Sequence, residues 1–191
     1  MTDRRCRWAL TLLTGALASH AVANDATFPT TAPTTNSAPF SCSKYGFSIQ
    51  PPPDWNSAKC GSPDVLSLVP QADSTAKDPS LVPCLKITVP DLPFHIPGLI
   101  PCGSVANGYV SDMTKQYPDW HVDERGVAAV PNASAREIVS TFHQNGALWR
   151  DVVLCIVHKD RVFLLAADCP ADDYAATRAA FDEMAGSLKW N

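Results

Sequence analysis

The pattern of apolar and polar positions in the C-terminal half of the chain predicts strands around 120–130, 135–143, 147–158 and 161–168. Val152, Leu154 and Ile156 fall on one face of the third of these, and Val153, Cys155 and Val157 on the other. A strand apolar on both sides needs cover on both sides. A tight polar turn at Lys159-Asp160 joins it to the next strand, which places Cys155 opposite Leu164 and Cys169 opposite Arg150. The two cysteines would then lie about 17 Å apart at ~3.4 Å per residue. That exceeds the ~7 Å a disulfide spans, so Cys155 and Cys169 are not expected to bond to each other.

Helical period appears twice. Val105, Tyr109, Met113 and Tyr117 recur at every fourth position behind Ser104, a good N-cap, and Pro118 stops the segment. A second stripe, Tyr174, Phe181, Met184 and Leu188 with Thr177 at its boundary, follows Pro170 and the acidic pair Asp172-Asp173. Towards the N-terminus, Tyr45-Gly46-Phe47-Ser48-Ile49 reads as a short strand ended by three prolines, after which Trp55 folds back onto the sheet. The runs 65–69 and 85–89, separated by a polar loop, are expected to pair as a meander.

The first 23 residues have the order of a cleavable secretory signal: Arg4, Arg5 and Arg7, an apolar run too short to span a bilayer, then Ala21-Val22-Ala23. The expected destination is the periplasm or the exterior, with no membrane insertion after cleavage. Residues 24–41, rich in Thr, Pro and Ala, read as a flexible tether, and 42–191 as a single globular domain. Cleavage removes Cys6 and leaves Cys42, Cys60, Cys84, Cys102, Cys155 and Cys169. Six cysteines in an oxidising compartment predict three structural disulfides, and the absence of any C-x-x-C spacing argues against a zinc site or a redox motif. Losing three Arg and one Asp with the leader takes the formal net charge from −4 to −6. No basic cluster with interleaved aromatics survives, which argues against a nucleic-acid partner.

The element order, opening with Tyr45-Gly46-Phe47-Ser48-Ile49 and Pro53-Asp54-Trp55 and closing with Phe181, Met184 and Ser187-Leu188-Lys189-Trp190, resembles the PsbP-like superfamily over most of 45–190. The resemblance implies an α+β fold, an antiparallel sheet covered by helices on both faces as an α-β-α sandwich. It also implies a role, since members mostly bind other proteins and lack catalytic machinery. The six cysteines and the proline-dense stretch 90–101 depart from the usual pattern, and no functional residue is carried over.

Motifs for a serine elbow, a zinc protease, a phosphate loop or a dinucleotide site are absent, and no catalytic residue, metal ligand or cofactor is assigned. Of His95, His121, His143 and His158, His121 alone has a carboxylate, Asp123, on the same predicted strand face. Pro90, Pro93, Pro97 and Pro101 punctuate the most unusual segment and rule out a central strand or helix. Its apolar residues either cap the core or, if Phe94, Ile96, Leu99 and Ile100 are exposed together, present a surface to a protein partner. Cys84 and Cys102 flank it, so a bond between them would clamp the loop. The reading is therefore an exported, non-catalytic protein-binding domain, in a sharper version a periplasmic immunity or inhibitor protein. A small envelope hydrolase working through His121 and a structural envelope component are the alternatives.

Overall fold

The computed structural model describes residues 38–57, 64–74, 81–90 and 100–191. Most of the segment 90–101, with Phe94, Ile96 and Leu99, lies outside the described residues, as do Cys60 and residues 1–37. The elements in chain order are β1 (Phe40–Cys42), β2 (Phe47–Ile49), β3 (Trp55–Ser57), β4 (Asp64–Pro70), β5 (Cys84–Thr88) and α1 (Cys102–Gln116). They continue as β6 (His121–Val130), β7 (Ala133–Gln144), β8 (Ala147–His158), β9 (Arg161–Pro170), α2 (Tyr174–Gly186) and β10 (Lys189–Trp190). The fold is α+β: β3-β4-β5-β9-β8-β7-β6 form one antiparallel sheet, and β1-β2-β10 a smaller one.

Alternation along β8 organises the interior. Val152, Leu154 and Ile156 join a cluster that includes Phe181 and Met184 of α2, together with Phe47, Leu85 and Leu165. Val153 and Cys155 join another with Val105, Ala106, Tyr109 and Met113 of α1, and with Ile138 and Phe142 of β7. The hairpin register agrees with that read from the turn: Cys155 faces Leu164 and Cys169 faces Arg150. β7 and β8 are joined through Asn145 and Gly146, both at positive φ, as a two-residue turn matched to strand twist requires.

Several boundaries differ from those expected. α1 begins at Cys102, with Pro101 rather than Ser104 as its cap; Ser104 N–H donates to the Pro101 carbonyl at 2.9 Å. Pro101 is extended (φ −68°, ψ 126°), a conformation its ring favours and which stops the helix from starting earlier. Pro170 closes β9 instead of opening a helix, and a 3-10 turn, Ala171–Asp173, precedes α2. Thr177, expected at the edge of the stripe, is buried. Phe40 and Ser41, read in the sequence as tether, pair with Ile49 and Ser48. The C-terminal Lys189 and Trp190 form a strand on the other side of β2. No disulfide joins any two of the described Cys42, Cys84, Cys102, Cys155 and Cys169.

Candidate functional site

One row of residues crosses four strands of the larger sheet: Cys84 on β5 faces Asp168 on β9, Asp168 faces Asp151 on β8, and Asp151 faces Ser140 on β7. All four are buried. Because side chains alternate along strands, these four project to the side on which α1 packs, together with Lys86 and Thr88 further along β5. In the sequence Ser140, Asp151 and Asp168 belong to no motif, and Cys84 reads as one of six disulfide candidates. The sheet turns them into a polar row inside the protein.

Burying such groups is costly unless they satisfy one another. Lys86 Nζ donates to Asp168 Oδ2 at 3.2 Å, an ion pair with both side chains at most a tenth exposed. Tyr109, reaching down from α1, donates its hydroxyl to Asp151 Oδ2 at 2.7 Å, and Ser140 Oγ donates to the same oxygen at 3.2 Å. At the mouth, Thr88 donates to Asp64 Oδ1 at 2.6 Å. Asp151 Oδ1 and Asp168 Oδ1 are buried without a hydrogen-bond partner.

Burial, reinforced by the negative charge of Asp168, raises the Asp151 carboxyl to about 8, so it is protonated at neutral pH. Burial alone would depress Lys86, but Asp168 beside it outweighs that and holds the ammonium charged. Tyr109 is raised well above the usual phenol range, by burial first and then by Asp151. At neutral pH the row thus holds a charged ammonium at Lys86 and a neutral acid at Asp151. The space among Asp64, Lys86, Thr88, Tyr109 and Asp168 is about 10 Å³, room for about one water and no organic substrate.

The polar residues singled out in the sequence lie elsewhere. His121 and Asp123 are not brought together as a pair: a register shift interrupts β6 between Val122 and Glu124, and Asp123 accepts from Thr141 Oγ1 at 3.2 Å and lies 3.7 Å from Arg150. His143 contacts Asp119 instead, ring Nδ1 to Oδ2 at 2.6 Å, with the His143 backbone N–H donating to the same oxygen. The hydrogen bond from the His143 ring holds the Asp119 carboxyl below its ordinary range. His158 stacks on Trp190 with ring centres 4.0 Å apart. Ile100 packs, half-buried, against the α1 cluster, the capping role open to it. Among the described residues no group of three or more His, Cys, Asp or Glu is placed to hold a metal ion.

No protein-family model matches the chain, and no match was found among curated proteins. Solved structures do match it. Cyanobacterial PsbP (CyanoP) from Synechocystis is similar over 88% of this chain and 100% of its own, with a TM-score of 0.62 at 8% identity. The fold is PsbP-like. Two further proteins share this PsbP-like fold: LpqN of Mycobacterium tuberculosis, involved in cell envelope biogenesis, and the Ran-binding protein Mog1p of Saccharomyces cerevisiae. LpqN has a TM-score of 0.56 at 18% identity, covering 80% of this chain and 88% of LpqN. Mog1p has a TM-score of 0.55 at 9% identity, covering 82% and 96%.

Proposed function

We propose that this chain is an exported, non-catalytic protein-binding domain, an α-β-α sandwich delivered to the periplasm or the exterior. The observation that carries the reading is the closed polar row. Its titratable groups are engaged with one another beneath α1, around a space of about 10 Å³, so their chemistry holds the domain together and does not face a substrate. The placement of α1 and α2 in separate clusters, which share β8 through alternate residues, supports the sandwich. PsbP-like proteins known for binding Ran or for envelope biogenesis give the fold precedents for both parts of the role.

The partner surface is assigned to the 90–101 segment. Val89 and Pro90 at its start are buried and Ile100 near its end packs on the core, so both ends are anchored. The partner-facing residues of this reading are Phe94, Ile96, Leu99 and Ile100. The mildly acidic charge and small size fit an immunity protein that occludes a secreted toxin.

Affinity purification from envelope and culture extracts, using the chain from residue 24 onward, tests this. Near-stoichiometric capture of one protein, lost in Phe94→Asp and Leu99→Asp, supports the occluding binder, and the partner's activity then identifies or dismisses the immunity role. Equal capture by the variants, or no capture at any salt concentration, removes the 90–101 interface. Hydrolysis abolished by His121→Ala would establish the enzymatic alternative.

A further inference from the structure

Cys102 occupies the first position of α1, directly after the extended Pro101, and its Sγ donates to the backbone carbonyl of Cys155 at 3.2 Å. Cys155 lies mid-strand on β8, wholly buried in the cluster that contains Val105 and Ala106 of the same helix turn. Arg136 stands opposite Cys155 on β7, so the first residue of α1 lies over that rung through its bond to the Cys155 carbonyl. At 3.2 Å from the Cys155 carbonyl, the Cys102 sulfur lies beside the residue whose side chain it would bond. We propose that Cys102 and Cys155 form a disulfide in the oxidised protein, clamping the first turn of α1 to the centre of β8.

The other described cysteines are placed elsewhere. Cys84 shares a row with Asp168, whereas Cys155 shares one with Leu164, four residues along β9. That offset alone is about 14 Å at ~3.4 Å per residue, beyond the reach of a disulfide. It also disfavours a Cys84–Cys102 clamp, because Cys102 sits over the Cys155 rung. Cys42 packs with the α2 cluster, and Cys169 alternates to that side of β9 with Ala167 and Leu165.

The chemistry favours a structural bond over a reactive thiol. Burial, then the neighbouring Cys102, pushes the Cys155 thiol up to about 12, and burial also raises Cys102. Neither is a ready thiolate, so in the folded protein both attack slowly and a bond once made is shielded from exchange. The proposal rests on the export reading for its oxidant, a disulfide-bearing thiol oxidant. Two S–H bonds break, the Sγ–Sγ bond forms, and two electrons and two protons reduce the oxidant's disulfide to a dithiol. The bond would fix Ile100, two residues upstream, and with it the C-terminal anchor of the 90–101 segment.

Peptide mapping tests the pairing directly. Trypsin leaves Cys102 on peptide 87–115 and Cys155 on 151–159, and puts Cys60, Cys84 and Cys169 on three other peptides. The full chain is reduced, unfolded, refolded in mixed reduced and oxidised glutathione, and digested without reduction. The expected result is peptide 87–115 linked to 151–159. A thermal midpoint roughly 10 °C lower should follow reduction of that bond or either single Cys→Ser change, with no further drop in the double variant. Recovery of both cysteines as alkylated thiols, or of either one linked elsewhere, overturns the proposal without reference to any variant's folding. Thiol trapping in cells separates the two readings: a chain that links in vitro but is reduced in cells argues against export and not against the pairing.

Discussion

Asp151 and Asp168 stand directly opposite each other on β8 and β9, and each has one oxygen hydrogen-bonded and one buried without a partner. Two buried carboxylates side by side cannot both be charged at modest cost. Lys86 takes the charge of Asp168, and Asp151 takes a proton.

This arrangement makes stability depend on pH. The Asp151 carboxyl is near 3.8 when the chain is unfolded and about 8 when folded, so the native state holds the extra proton between those values. Its contribution is complete below the lower value and is lost as pH rises through the upper one, with a slope approaching 1.4 kcal/mol per pH unit at most. Asp151→Asn mimics the neutral acid. Urea unfolding from pH 5 to 9 should show a parent that weakens with rising pH and a variant with a flatter profile.

Tyr109→Phe removes the hydroxyl that ties α1 to β8 and leaves Ser140 Oγ donating to Asp151 Oδ2. A loss of about 1–2 kcal/mol is expected. Denaturant midpoints with an unchanged m-value would confirm that the effect is local.

Lys86→Met leaves the buried Asp168 without its cation, which should cost about 3–5 kcal/mol. Adding Asp168→Asn should restore part of that loss. Strict additivity in this double-mutant cycle would mean that the two side chains are not coupled.

Trp190→Ala tests the C-terminal strand. Its ring stacks on His158, touches Phe163 at 5.0 Å between centres, and donates from Nε1 to the Pro131 carbonyl. Removing it should cost about 3 kcal/mol. A change below half that would show that β10 is an ornament of the fold.

The hairpins β7-β8-β9 were legible because two signals agreed: a polar two-residue turn, and long runs with apolar residues on both faces. The polar row was legible in principle from the same register. Once Cys155 is placed opposite Leu164, Asp151 falls opposite Asp168, and two acids facing each other inside an apolar hairpin mark an unusual site. What hid the rest was length and context. β1 and β10 span three and two residues, too few for a period to appear. The Asp123 partners Thr141 and Arg150 come from β7 and β8, which sequence spacing along β6 does not reveal.

The smaller sheet has a mechanical consequence. β2 lies between the first described strand and the last, so the two ends of the domain leave from neighbouring positions. A pull on the chain before Phe40 loads the three-residue pairing of β1 with β2 first, while the seven-stranded sheet bears little of it. β1 is therefore a weak outer link that gives way under tension ahead of the seven-stranded sheet.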